Sequence, residues 1–147
     1  MNIEKINNFK IKKVIEQVYY KIKIYYKFRK EFVMENKTVE ELVKENKNNM
    51  VTTTQLRQLL SNSVIVKNKI SSKILKKEDK LSNELLNDVK YLLIKHTYQC
   101  GRKSKVKEFD QKFKISEKLK KIKNKKDFDR FYRYLEEIVA YVKYYIG

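Results

Sequence analysis

Two residues of this 147-residue chain could act as nucleophile and base, the only histidine, His96, and the only cysteine, Cys100. They are four residues apart, so they share one face of the helix that the apolar spacing of this stretch indicates. A catalytic thiol needs an accessible thiolate and a third group that orients the imidazole. Both residues fall on the stripe expected to face the core. The pattern therefore favours a packed interior pair and predicts that the chain is not an enzyme.

Other motifs of catalysis or cofactor binding are absent from the sequence. It contains no HExxH pair, no glycine-rich phosphate loop and no paired acidic metal motif. One cysteine allows no intramolecular disulfide and cannot complete a cysteine-based metal site. We therefore expect no catalytic residue, no metal site and no cofactor.

Basic residues at two special backbone positions are the stronger indication of function. Arg57 follows the expected helix start at Thr52, where backbone N–H groups favour an anion, and Gln55 adds a neutral donor. Arg102 follows Gly101, where the bare backbone and the guanidinium can approach a ligand together. With nearby lysines of unspecific charge, these residues form a predicted phosphate-binding set: Arg57, Arg102, Gln55, Lys67, Lys69, Lys103 and Lys105.

The charge of the chain points to a polyanionic partner. Lysine and arginine number 36 against 18 aspartate and glutamate, a formal net charge of +18. Residues 1–30 contain nine basic and two acidic residues, and residues 101–126 contain twelve basic and three acidic residues. An AT-rich genome favours lysine, but it should also enrich the acids, so base composition does not explain the imbalance. Nucleic acid is the expected partner, ahead of an acidic membrane surface.

The C-terminal stretch from Asp127 is expected to form a helix with two distinct faces. Apolar residues recur at steps of three and four on the side expected to face the core. The opposite side carries Arg130, Arg133, Tyr141 and Tyr144. Tyrosine and arginine are favoured at protein interfaces, and they can also stack on bases. Because this face is long and continuous, we expect it to be a partner interface.

The elements that position these residues should be helices, because the chain has no proline and only two glycines. Sheet proteins of this size need more turn residues than that. The expected fold is all-α, a compact bundle of about five to six helices in a single domain over residues 1–147. Residues 1–49 should form N-terminal helices.

Capping signals and periodicity set the expected boundaries. Gly101 is expected to stop the helix that contains His96. Tyr91, Ile94 and Tyr98 form a second apolar stripe on that helix, which predicts that it is buried between neighbours. One further helix is expected from about residue 106 to residue 122. Helices are expected to begin near Ile3, after Thr38, after Thr52, after Ser82, near Val106 and after Asn124.

The start of the sequence has no apolar run of the signal-peptide type. No stretch of the chain is long and apolar enough to span a membrane. We therefore expect a cytoplasmic protein without a membrane partner.

Three segments within residues 50–147 resemble, in order, one known family. They are TTTQLRQLL, YQCGR and FDRFYRYLEEIVAYVKYY. The family pattern has a T-x-x-Q-[IL]-R helix start, a tyrosine-containing helix that ends in Gly/Ala-Arg, and a closing Phe–Tyr–Glu–Ala–Tyr–Lys helix. On these motifs the chain resembles the small subunit of the type III-A CRISPR effector, the Csm complex. It departs from the pattern at Val142, where the family often has a ring, and at Ile146, which interrupts the usual glycine ending.

The resemblance implies a non-catalytic RNA-binding structural subunit that serves antiviral defence. Several copies stack along the complex beside the backbone subunits that grip the guide RNA, near the target RNA paired to the guide. The cyclase, DNase and RNase activities belong to the large subunit and the backbone subunit. The implied partners are guide RNA, target RNA, backbone and large subunits, and copies of the same chain. The predicted phosphate-binding residues would then contact the RNA backbone.

Two other classes of function stay open on the residues alone. A stand-alone regulator could bind duplex DNA through a helix-turn-helix, with residues 52–70 as the recognition helix. Against it, residues 71–80 make a long connection without a glycine-containing turn. The other class is an enzyme that uses Cys100. Preference for duplex DNA over RNA would favour the regulator, and turnover lost in Cys100→Ala would favour the enzyme.

Overall fold

The structure, a computed structural model, describes residues 2–35 and 37–147, and the side chains of all of these except residues 28–35. Within these ranges the chain forms seven α-helices, one short 3-10 turn at Lys47–Asn49 and no extended strand. The all-α prediction is confirmed. The helices are α1 Ile3–Glu35, α2 Val39–Glu45, α3 Thr53–Lys73, α4 Asn83–Arg102, α5 Ser104–Phe113, α6 Ile115–Lys120 and α7 Lys125–Ile146.

Side-chain caps explain where four of these helices begin. The Thr52 hydroxyl accepts a hydrogen bond from Gln55 N at 3.2 Å, and Gln55 Oε1 accepts one from Thr52 N at 3.0 Å. This reciprocal pair is the predicted capping box of α3. Asn124 and Asp127 make an equivalent pair at the start of α7. Single hydroxyls cap α2 and α4, those of Thr38 and Ser82.

Contacts divide the chain into two units, one that ends at Lys37 and one that spans Thr38–Gly147. In the second unit α7 packs against α2 and α3, while α4 packs against α3, α5 and α6. This unit is a bundle of six α-helices, and α1 brings the described ranges to seven, against the five to six predicted for the whole chain. Its core includes the inner face of α7 and apolar residues from each neighbour: Phe128, Phe131, Leu135, Ile138, Val142, Val43, Leu56, Ile70, Leu85, Phe113 and Leu119.

The first unit contains α1, which begins at Ile3 as predicted. With 33 residues it is about 50 Å long. Its apolar stripe is exposed to solvent, including Ile11, Val14, Val18 and Ile22. No helix in the described ranges combines the length and apolar character of a membrane span.

Two expected helix boundaries are wrong. The fourth helix continues through Gly101 and ends at Arg102, because Gly101 does not adopt the left-handed backbone of a helix stop. The stretch 106–122 is not one helix, since Lys114 has φ 59° and ψ 37° and separates α5 from α6. Asp110 explains this break: its Oδ1 accepts hydrogen bonds from Ser116 N and Ser116 Oγ, both at 2.8 Å. That carboxylate satisfies the start of α6 as a cap would.

The second apolar stripe of α4 is not buried, contrary to expectation. Tyr91 is 59% exposed, Ile94 is 54% exposed and Tyr98 is 66% exposed. The neighbours of α4 cover only its opposite side, which carries Leu85 and Leu92. The exposed rings therefore belong to the surface, where they are available to a partner.

Candidate nucleic-acid interface

The start of α3 separates two residues that were predicted to bind RNA together. The Oε1 atom of Gln55 is occupied by Thr52 N, so the amide nitrogen remains as its donor. Arg57 is exposed and follows two residues later, which turns it to nearly the opposite side of the helix. Gln55 instead lines a groove between α3 and α4. The structure does not bring these two side chains to one surface.

Three exposed basic residues lie at the junction between α4 and α5. Arg102 is the last residue of α4, and Lys103 occupies the N-cap position of α5 without a side-chain capping bond. Lys105 lies in the first turn of α5. The N-terminal end of a helix carries partial positive charge, which adds to that of the three side chains. This junction offers the chemistry that a phosphate group needs.

The two lysines of α3 in the predicted set have different surroundings. Lys69 Nζ lies 2.8 Å from Asp88 Oδ2 and 3.2 Å from Glu84 Oε1, and these hydrogen-bonded carboxylates raise the pKa of Lys69. Its charge is therefore largely offset within the chain, which weakens it as a phosphate ligand. Lys67 Nζ lies 4.2 Å from the centre of the Tyr132 ring, with which it makes a cation–π contact.

Lys67 and Arg133 line one groove between α3 and α7, with a volume of about 270 Å³. The structure thus joins a residue predicted to bind RNA with one predicted to face a protein partner. The groove has both signs of charge, because its other charged residues are Lys77, Lys125, Asp129 and Glu136. The groove is therefore less uniformly cationic than the α4–α5 junction and less suited to binding a polyanion.

The outer face of α7 is exposed at Arg130, Arg133 and Tyr144. Tyr141 is half-buried, and its ring is stacked on that of Tyr145 with 6.4 Å between centres. These positions leave the face accessible over most of its length. Its use as a partner interface remains a prediction.

The groove between α3 and α4 has a volume of about 410 Å³. Two exposed tyrosines, Tyr91 and Tyr98, form its wall on the α4 side. Lys95 Nζ lies 4.7 Å from the centre of the Tyr91 ring. The polar residues that line the groove are mostly amides: Gln55, Gln58, Asn62 and Gln99. An aromatic wall opposite amide groups can hold a flat polar ligand.

His96 and Cys100 form a cluster with Asp110, which comes from α5. His96 is 5% exposed, and its Nε2 lies 2.9 Å from Asp110 Oδ1 and 3.6 Å from Cys100 Sγ. These three are the described residues whose donor atoms approach one another closely enough, within 4.8 Å, to hold a metal ion. The imidazole–carboxylate contact joins α4 to α5, and the bonds from Ser116 to the same oxygen extend it to α6.

The chemistry of this cluster is structural rather than nucleophilic. Burial, followed by the charge of Asp110, raises the pKa of the Cys100 thiol to about 11, which is the opposite of an activated thiolate. Burial opposes ionisation of Asp110, but the hydrogen bonds from Ser116 and His96 outweigh it and lower the pKa of Asp110. All three of these hydrogen bonds converge on Oδ1 of Asp110, which is thereby held in contacts between helices. His96 is buried and Cys100 is half-buried, and the hydrogen bonds of Asp110 to His96 and Ser116 connect α4, α5 and α6.

Comparison with known proteins decides the family. A family model described as "Csm2 Type III-A" matches residues 29–147. The chain belongs to the Csm2 family. The resemblance seen in the sequence is thereby confirmed. The match begins within α1, so most of that helix precedes the part shared with the Csm2 family, while every predicted site residue lies inside it.

Curated Csm2 proteins are similar over most of their own length. "CRISPR system Cms protein Csm2" of Streptococcus thermophilus is 42% identical over 107 residues, 72% of this chain and 83% of that protein. The protein of the same name from Mycobacterium tuberculosis (strain CDC 1551 / Oshkosh) is 33% identical over 115 residues, 78% and 90% respectively. That from Enterococcus italicus is 32% identical over 129 residues, 80% and 86% respectively.

Within this Csm2-family fold, sequence reasoning missed two features, one on the surface and one in the interior. Tyr91, Lys95, Tyr98 and Arg102 follow one another at steps of four, three and four, so they share one face of α4. That spacing was visible, but the ring positions were assigned to the core because they are apolar. Asp110 was also missed, since nothing in its own neighbourhood indicates that it meets His96 fourteen residues away.

Proposed function

We propose that this chain is a non-catalytic RNA-binding structural subunit of the type III-A CRISPR ribonucleoprotein. Its Csm2 family membership makes it a structural subunit of that complex. In the proposal it acts in the cytoplasm, lies beside the guide–target RNA duplex and contacts backbone phosphates. The proposed partners are guide RNA, target RNA, the backbone and large subunits, and other copies of the chain.

The observation that carries the proposal is the exposed cationic junction of α4 and α5. Arg102, Lys103 and Lys105 stand together there at a helix N-terminus. The charge of +18 gives the whole chain a long-range attraction to a polyanion. Contacts of this type read phosphate positions and not sequence, which suits a subunit whose complex selects targets by base pairing.

Arg57 provides a second proposed phosphate contact on another side of the bundle. It is exposed, and its guanidinium can bind a phosphate through two hydrogen bonds. Lys67 adds charge in the groove between α3 and α7, whereas Lys69 contributes less because Asp88 and Glu84 already hold it.

The absence of catalysis is the second part of the proposal. It is supported by the engaged imidazole of His96 and by the high pKa of Cys100. Asp110 holds Nε2 of His96, and Cys100 lacks the thiolate that a cysteine nucleophile requires. The activities of the complex would reside in its other subunits.

The test compares RNA binding by two charge-matched double variants of the full chain. Arg57→Gln with Arg102→Gln removes two proposed phosphate contacts, while Lys90→Gln with Lys112→Gln removes two exposed charges elsewhere. For the parent, log affinity for an RNA duplex should fall linearly with log salt concentration, with little dependence on sequence. The arginine variant should lower that slope by about 1.5, because each phosphate contact contributes roughly 0.7–0.9.

Equal affinity and equal slope for the arginine variant and the parent would refute the two site assignments. Failure of the parent to bind RNA, or to co-purify with a guide RNA and backbone subunits, would refute the function itself. A preference for duplex DNA over RNA would instead support a stand-alone regulator.

A further inference from the structure

We propose that the groove between α3 and α4 holds an unpaired nucleobase of single-stranded RNA, stacked on Tyr98 with Tyr91 as the second aromatic wall. The inference rests on the proposed RNA-binding function and adds a base contact to its phosphate contacts. Of the predicted phosphate-binding set only Gln55 lines this groove, so the base contact is separate from the cationic contacts of that set.

The first argument is that exposed aromatic rings line a groove that is present in the folded chain. Tyr91 and Tyr98 are both more than half exposed, and Ile94 lies on the same helix between them. The two tyrosines are seven positions apart, which is about 10 Å along the helix axis. The groove volume of about 410 Å³ lies within the range of roughly 300–1,000 Å³ found for sites that enclose small ligands.

The second argument is the kind of polar group that lines the same groove as the rings. Gln58 and Asn62 of α3 and Gln99 of α4 offer amide groups that both donate and accept hydrogen bonds. Gln55 offers its amide nitrogen, because its oxygen is held in the capping box. Base edges present the same mixture of donors and acceptors, whereas phosphates present acceptors alone. Amides beside tyrosines therefore suit a base better than a phosphate.

The third argument is charge, which selects an RNA strand over a protein occupant. Of the charged residues that line this groove in the described part of the chain, Lys95 is basic and none is acidic. Arg102 lies on the same face of α4, and Lys103 and Lys105 follow it. A strand with one base in the groove would place its phosphates near these cations. An occupant with negative charge along its backbone is therefore favoured in this groove over one that presents a neutral or basic surface.

The experiment measures binding of the full chain to a single-stranded RNA that contains one 2-aminopurine, and to a fully paired RNA duplex of equal length. The parent should quench the 2-aminopurine fluorescence on binding. Tyr91→Ala with Tyr98→Ala should weaken single-strand binding about 5- to 100-fold, the range for loss of one stacked base, and leave duplex binding unchanged. Tyr98→Phe should retain affinity because the ring is kept. Tyr20→Ala, which removes an exposed ring from α1, is the matched control.

Three outcomes would overturn the inference. The first is that the double tyrosine variant, with unchanged circular dichroism, binds single-stranded RNA with the same affinity as the parent. Another is an equal loss for duplex and single strand, which would indicate a backbone effect. The last is loss of self-association or of a protein partner without loss of RNA affinity. A parent that binds duplex with the expected salt dependence but does not quench the probe would leave the proposed function standing and refute this base contact alone.

Discussion

The imidazole of His96 and the carboxylate of Asp110 meet at 2.9 Å between α4 and α5. The same carboxylate oxygen accepts two hydrogen bonds from Ser116 at the start of α6. One side chain thus links three helices that have few other polar contacts in common. A charged acceptor in a half-buried position makes each of these bonds stronger than a neutral one.

Asp110→Ala should therefore destabilise the bundle. It leaves the His96 ring and the Ser116 N–H without their acceptor, and we expect a loss of about 2–4 kcal/mol in the free energy of unfolding. Urea denaturation followed by circular dichroism measures this. Glu117→Ala removes an exposed acid from α6 and should cost less than about 1 kcal/mol. Similar losses in both variants would show that the linkage is unimportant.

The stability of the parent should also depend on pH through Asp110. Its pKa is lower in the folded chain than the ordinary value of about 3.9. A carboxyl group of this kind stabilises the fold fully above its ordinary pKa, and the contribution is lost as the pH falls through the lower, folded-state pKa. The difference in unfolding free energy between the parent and Asp110→Asn should therefore shrink as the pH falls below about 4. A difference that is independent of pH would contradict this.

Cys100 should react slowly with alkylating agents. At about pH 8 a thiol of ordinary pKa is roughly one quarter thiolate, whereas a pKa of about 11 leaves roughly one thousandth. Iodoacetamide modification, followed by mass spectrometry, should be more than about 100-fold slower in the folded chain than in urea. The folded rate should rise steeply as the pH approaches 11. Rapid modification near neutral pH would indicate an activated thiol and revive the enzyme hypothesis.

Gly101→Ala should stabilise the protein. Gly101 lies inside α4 without a positive φ, and an added Cβ would meet no atom within 4 Å. Alanine restricts the unfolded chain and favours the helix, so the gain should be about 0.5–1 kcal/mol. A rise in melting temperature is the expected readout. If Gly101 were a helix stop with a left-handed backbone, the same change would lower it.

The amino-acid sequence by itself determined the helical class, most helix starts and the family. The capping pairs Thr52–Gln55 and Asn124–Asp127 could be predicted because their hydrogen bonds join residues three positions apart. Such local hydrogen bonds do not depend on how the rest of the chain folds. The inner face of α7 was equally predictable, because a strong 3.6-residue period leaves one side for the core.

The tertiary structure alone decided which apolar face of α4 is covered, and where the helices break. Tyr91 and Tyr98 fit a buried stripe as well as Leu85 and Leu92 do, and only the number and placement of neighbouring helices leaves the tyrosines exposed. Lys114 adopts a left-handed backbone that its residue type does not favour. The hydrogen bonds from Ser116 of α6 to Asp110 of α5 stabilise that conformation. Contacts between separate helices of this kind exist only once the chain has folded.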